Sequence, residues 1–457
     1  MKFYSILITA FALAQSALGQ IQLNYQTFLE SVLKHNQVLK IAYNQSLLAK
    51  HQLIAAKGGF DPVLNSETER KDVFQNYYVQ SSSEIKWPIF AGHSLKSGYV
   101  YGQGPFINAS DKTSARGMTY LGIQSNLLQG LLIDKNRADL LKAHQYVAYF
   151  NAEKAILENE LMFKASTTYA DLLYQNTLKS LYQAYQDNAM KRHMAIVSLV
   201  DLGEKANVDS IETFIQFQSR VIDRQATQID FSKQLFDVIA YMQTPQLYSL
   251  PLVVSEELDS LYDISSKSVL SSNYSPMVNP IMQQAQSKQS LLLVDVRLKK
   301  EMLKPKLEVS YQFLSSNAWQ SSLFFDMNQY KLGAKMSFPL FFRKPYNEYK
   351  LSKFVAENNQ YEMDVKAIQL SAKANFVVRN FESMLSQVND AQRLNELNKQ
   401  LLIAEQTKFE HGESSLFLVN IRESRCLESE VKLLNLKTKL IKSYFEYKYL
   451  NAEFVQN

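Results

Sequence analysis

Asp209 and Glu212 are the residues of this 457-residue chain whose types and spacing first suggest chemistry. As Asp-x-x-Glu they have the spacing of a capping box, in which side chains satisfy free N–H groups at a helix start. Little else is arranged for catalysis. The histidines at 35, 51, 93, 144, 193 and 411 are scattered, without an i, i+4 pair or an HExxH run, so they form no metal set. There is no GxSxG and no P-loop, and Gly98, Gly102 and Gly104 do not open a helix after a strand as a dinucleotide site requires. Cys426, the single cysteine, lies inside a helical run and excludes a disulfide framework. The 49 basic and 44 acidic residues are interspersed, which argues against a nucleic-acid surface. The chain reads as a non-enzyme without cofactor or metal, drawing any energy from a partner.

The elements that must position these residues are set by two glycines. Gly203 and Gly412, each followed by glutamate (Glu204, Glu413), stand between stretches with no glycine or proline, at 131–202, at 346–411 and beyond Gly412. Such stretches, rich in Leu, Ala, Lys, Glu and Gln, predict very long helices that turn back at the glycines. At 1.5 Å per residue, the first two would each span roughly 100 Å, and both are too polar to lie in lipid. The two turns, VDLGEKANVDSIE at 200–212 and FEHGESSLFLVNI at 409–421, face each other in an internal repeat. HNQVLKIA at 35–42 faces VNPIMQQA at 278–285, Pro62 faces Pro305, and the segment from Leu121 faces that from Leu332. The offset drops from about 240 residues to about 210, so roughly 30 extra residues sit in the first repeat, near 72–115.

Between the helices of each repeat, alternation predicts strands. Leu307, Val309, Tyr311 and Phe313 alternate with polar residues, as do Leu332, Ala334, Met336 and Phe338. This gives about four strands per chain, too few to close a barrel unless copies pool them. The inserted segment is an additional hairpin or an elongated surface loop. Val377, Phe381, Met384, Val388 and Ala391 step as a heptad, as do Leu427, Val431, Leu434, Ile441 and Phe445, and the step slips at Leu394, Leu397 and Leu401. At the start, Lys2, an apolar run over Phe3–Leu13 and the small residues Ala17 and Gly19 predict a signal peptide over 1–19. The repeats then occupy 20–241 and 273–457, with a linker or equatorial segment over 242–272.

LNYQTFLESVLKHNQVLKIAYNQSLLAKHQLIAAKGGFDPVL at 23–64, SFPLFFRKPYNEYKLSKF at 337–354 and KFEHGESSLFLVNIRES at 408–424 resemble, in order and spacing, the TolC-type outer membrane efflux proteins. The resemblance implies an α+β membrane protein: a homotrimer whose pooled strands form an outer membrane β-barrel, continued by a long α-helical barrel in the periplasm. It also implies partners, a periplasmic adaptor and an inner-membrane efflux pump or ABC transporter. The turns Gly203-Glu204 and Gly412-Glu413 then become adaptor-contact tips, and Asp209 matches a position that helps hold a closed gate. Three copies of Asp209 and Glu212 around an axis would form an acidic, cation-attracting ring. In the second turn the acidic pair common in the family is missing, and Asn420 and Glu423 recover an Asn-x-x-Glu pattern only with two inserted residues. The expectation is a passive export duct for efflux or type I secretion. The alternative is a periplasmic coiled-coil tether that does not conduct.

Overall fold

The structure is a computed structural model describing residues 21–74, 76–244, 252–271, 273–316 and 328–455. The expected signal peptide and part of the expected linker lie outside these residues. The described chain divides into two compact units, one of residues up to 42 with 154–280 and 367–457, the other of 43–153 and 281–366. The principal helices are α1 (Tyr25–His35), α2 (Gln37–Lys57), α3 (Lys135–Asp201), α4 (Asn207–Met242), α5 (Leu258–Ser266), α6 (Pro280–Glu301), α7 (Arg343–Glu410) and α8 (Leu416–Leu450). α3 and α7 run for 67 and 68 residues, and apart from Pro345 in the first turn of α7, where proline is tolerated, neither contains glycine or proline.

The first unit is organised around α1 and the middle of α3. Asn24 opens α1 with a capping box, its side chain accepting from the Thr27 N–H at 2.8 Å while Thr27 Oγ1 accepts from the Asn24 N–H at 3.2 Å. That fixes Tyr25 and Phe28 against the core, where Phe28 stacks on Tyr169 and Tyr25 on Phe445, with ring centroids 5.3 and 5.5 Å apart. β1 (Ile21–Leu23) pairs in parallel with β6 (Leu252–Val254) beside them. Glu256 accepts from the Tyr25 N–H at 2.8 Å and the Tyr169 hydroxyl at 3.1 Å. Burial pushes the Tyr25 hydroxyl up to about 12, so it remains a donor throughout the neutral range.

Both expected heptad stripes enter cores. Phe381, Val388 and Ala391 of α7 pack with Leu433 and Leu440 of α8, while Ile441 and Phe445 turn to the core around Tyr169. α8 therefore buries two faces, and the second, Leu433 with Leu440, is one that its single expected stripe omits. Leu394, Leu397 and Leu401, where the step slips, remain exposed.

The second unit holds a six-stranded antiparallel sheet in the order β2 (Val63–Val73), β3 (Asn76–Pro88), β4 (His93–Gln103), β5 (Met118–Asn126), β7 (Lys306–Ser315) and β8 (Tyr330–Ser337). This corrects the expectation of four strands. The inserted segment folds as a hairpin lodged between β2 and β5, the two strands that match β7 and β8 of the second repeat. Its turn is tight: the Ile89 N–H donates to the His93 carbonyl at 2.9 Å, and a Cβ on Gly92, at φ +73°, would lie 2.7 Å from the Gly130 carbonyl.

Strand register gives the sheet two unlike faces. Leu64, Ile85, Ser97, Leu121, Phe313 and Tyr330 form one row across all six strands, and Trp87, Leu95, Ile123, Tyr311 and Leu332 form the row beside it. These apolar rows are exposed in the single chain, Leu64 by 67% and Leu332 by 64%, and the same face bears the Arg70–Asp72 ion pair beside the β2–β3 turn. The other face carries charge. Glu84 accepts from the Tyr120 hydroxyl at 2.7 Å and pairs with Lys96 at 3.4 Å. Gly98 makes room for that crossing, because a Cβ there would sit 2.5 Å from the Tyr120 ring.

Asn36 and Asn279, aligned in the repeat, are used alike. Both are buried, and their side chains donate to the carbonyls of Tyr241 at 2.9 Å and Leu450 at 3.0 Å, at the ends of the two return helices. Replacing either by alanine leaves a buried carbonyl without this donor. Each substitution is expected to cost about 1–3 kcal/mol, read as a lowered thermal unfolding midpoint, and equal losses at the two sites would mark their equivalence.

Candidate functional site at the helix turns

The two turns close by the same physical device. After Asp201 the Gly203 N–H donates to the Val200 carbonyl at 2.9 Å and the Glu204 N–H to the Leu199 carbonyl at 2.9 Å. After Glu410 the Gly412 N–H donates to Phe409 at 3.0 Å and the Glu413 N–H to Lys408 at 2.8 Å. These are Schellman closures, which need a left-handed residue at the break, and Gly203 and Gly412 supply it at φ +78° and +77°. Neither glycine has an atom near its missing Cβ, so backbone conformation and not crowding requires glycine there. Lys205 of the first turn lies over the Phe409 ring before the second, 5.1 Å from its centroid.

The return helices start differently from the expectation. Ala206 caps α4 without a side-chain bond, so Asp209 and Glu212 are not its capping box. Asp209 falls in the first turn of α4, where a carboxylate favours the positive end of the helix dipole. Likewise Ser415 caps α8, its hydroxyl accepting from the Leu418 N–H at 3.4 Å, and Asn420 and Glu423 lie further along the helix. At both turns the residue that precedes the return helix, Ala206 or Ser415, is in extended conformation, and this residue is the cap.

Three of the four expected gate residues meet in one network. Arg192 of α3 donates to Glu423 at 2.5 Å and to the Asn420 side-chain oxygen at 3.1 Å, and the Asn420 amide donates to Glu212 at 3.0 Å. Three helices, α3, α4 and α8, are thus tied behind the turns. Asp209 stays outside it. Glu423 is 2% exposed, so its charge depends on Arg192 for compensation. Arg192 is the residue that the sequence reading missed, although it stands as far before Gly203 as Glu423 stands after Gly412. Further contacts flank the network: His193 meets Thr213 at 3.0 Å, and Glu405 accepts from Ser414 at 2.5 Å with Arg422 at 3.6 Å.

Deeper in the bundle, Tyr185 donates to Glu430 at 2.8 Å, and Lys399 pairs with the same carboxylate at 2.6 Å. Burial, then the Cys426 and Glu430 contacts, raises the Tyr185 hydroxyl, and burial raises the Cys426 thiol above its ordinary value. Among the described residues no group of three His, Cys, Asp or Glu is placed to hold a metal, and no helix is long and apolar enough to cross a membrane.

The network makes a directional prediction. Arg192→Leu strands a buried carboxylate and should cost about 3–5 kcal/mol, seen as a lower unfolding midpoint, while adding Glu423→Leu should recover much of the loss. If the single and double variants melt together, Arg192 does not compensate Glu423.

No family model and no curated protein sequence matches the chain. Solved structures do. The CmeC outer membrane channel of Campylobacter jejuni superposes with a TM-score of 0.69 at 12% identity, covering 94% of this chain and 86% of its own. The outer membrane protein VceC of Vibrio cholerae does so with a TM-score of 0.68 at 13% identity, covering 93% and 95%. The open-state MtrE outer membrane channel of Neisseria gonorrhoeae reaches 0.67 at 11% identity, covering 93% and 88%. In fold, the chain is similar to these outer membrane proteins.

Proposed function

We propose that this chain is one copy of a homotrimeric outer membrane export duct. The observation that carries the reading is the sheet: one apolar face without cover and two open edges, β2 and β8, in the single chain. In a soluble domain that face needs a second layer, whereas in a barrel it faces lipid and the edges pair away. The helices support assembly independently. Val208, Ile215, Ile222, Ile229 and Phe236 recur every seventh residue along α4, and all are exposed, Ile229 by 70%. A heptad seam left bare asks for another helix to fill it.

In this reading the strands sit in the outer membrane, the helices form a periplasmic tunnel, and the Gly203 and Gly412 turns meet an adaptor that links the duct to an inner-membrane pump. The duct is passive and serves efflux or type I secretion. The Arg192–Glu423–Asn420–Glu212 network holds each copy's tip helices together, so opening of the tip either breaks it or moves its helices as a block. Asp209, outside the network, contributes with Glu204 and Glu413 to the charge of the tip.

Single-channel recording in a planar lipid bilayer, with oligomeric mass measured in parallel, tests the proposal. A trimer with discrete conductances is expected, and a monomer or dimer that never conducts would favour the tether. Asp209→Asn is expected to lower cation selectivity and divalent-ion block with little change in thermal stability. Unchanged selectivity would remove Asp209 from the gate.

A further inference from the structure

The extra hairpin changes what the sheet can close into, and its edges carry a pattern that selects their partner. β2 presents Glu67, Glu69 and Lys71 on the charged face of the sheet, and β8 presents Lys331 and Lys335 on that same face. β2 and β8 are the terminal strands of the sheet, and they run in opposite directions, as neighbours in an antiparallel barrel must. Resting on the duct reading, we propose that β8 of each copy pairs with β2 of the next copy, with Lys331 opposite Glu69, so that three copies close a barrel of eighteen strands.

The register follows from three constraints. Apolar faces must continue across the junction, so the row that joins Leu64 to Tyr330 inside one chain meets an even-numbered residue of the neighbour's β2. Tyr330 opposite Thr68, Arg70 or Asp72 gives staggers of about four, six or eight residues per copy, hence strand tilts of about 25°, 35° or 43°. The first falls below the range of closed barrels, and it leaves the last two residues of β8 beyond the start of β2. The third sets Lys331 directly against Lys71, a like-charge pair that offsets its Lys335–Glu67 pair, so it gains no net charge complementarity. The second places Lys331 against Glu69 and Leu332 against Thr68, and it ends with Ser337 against Val63, so all eight residues of β8 find partners. Eighteen strands at that tilt enclose a barrel about 34 Å across between backbones, against about 22 Å for twelve.

Cross-linking in the membrane tests the register. Ser66 and Ala334 lie opposite each other in the proposed pairing, on the exposed apolar face, while the native Cys426 is buried. The Ser66→Cys/Ala334→Cys protein, oxidised in native membranes, should run on a denaturing gel mostly as covalent trimer. The Thr68→Cys/Ala334→Cys protein, matched to the alternative stagger, should stay mostly monomeric. A reversed result, or an oxidised product of monomer mass only, would overturn the proposal. Charge exchange gives a second readout: Glu69→Lys should lower the temperature at which the oligomer dissociates, and Lys331→Glu added to it should restore that temperature. Bilayer recordings of the same proteins separate the two levels. Conductance without the expected cross-link rejects this edge pairing and leaves the duct, while loss of both trimer and conductance in the unmodified chain rejects the duct itself.

Discussion

The six-stranded sheet carries two apolar rows on one side, which beside the β2–β3 turn also bears Arg70 and Asp72, and mostly polar and charged side chains on the other. Among the described residues neither the apolar rows nor the two edges are covered. Trp87, Leu95, Ile123 and Leu332 are all exposed, and so is β2 along its whole length. The polar face, by contrast, is already satisfied locally, with Glu84 held by Tyr120 and Lys96 across the space left by Gly98. The asymmetry inverts that of a water-soluble sheet, where charge faces solvent and the apolar rows pack on a second layer.

The helices are stabilised in two distinct ways. Around Tyr169 and Phe445 the first unit has an ordinary aromatic and aliphatic core, anchored by the capped start of α1 and by Glu256. Near the turns, buried apolar residues such as Ile196, Leu416 and Val419 are joined by a buried ion pair, Arg192–Glu423. A buried ion pair is weak evidence for net stability but strong evidence for a defined arrangement, because only one geometry satisfies both partners. The turn region therefore has the character of a joint whose helices are held in fixed register while large stretches of their surface remain bare.

Much of this was legible in the sequence because the strongest signals were negative. Uninterrupted stretches without glycine or proline marked α3 and α7, and the lone glycines marked turns that only a left-handed residue can close. Pro62 and Pro305 each directly precede a strand, β2 and β7, as the repeat alignment implied. The inserted segment was located, but its strands were not counted, because Ser81–Ser83 and Gly98–Gly102 blur the alternation that signals a strand. The cap positions were misplaced for a related reason: Asp-x-x-Glu spacing occurs inside helices as readily as at their starts, and Ala206 offers no side chain to reveal a cap. Arg192 escaped notice because its partner is remote in sequence, and pairing across helices depends on a packing that spacing alone does not encode.

The insertion between β2 and β5 arrived as a hairpin, not as a strand. A single added strand would reverse the direction of β5 and deliver the chain to the opposite rim of the sheet, where α3 does not begin. Two strands joined by the short turn at Ile89–Gly92 cancel each other's displacement. Parity therefore governs how such a sheet can be elaborated: it widens in steps of two while every connection to a helix stays at its original rim, and the helical part of the chain need not register that anything was added.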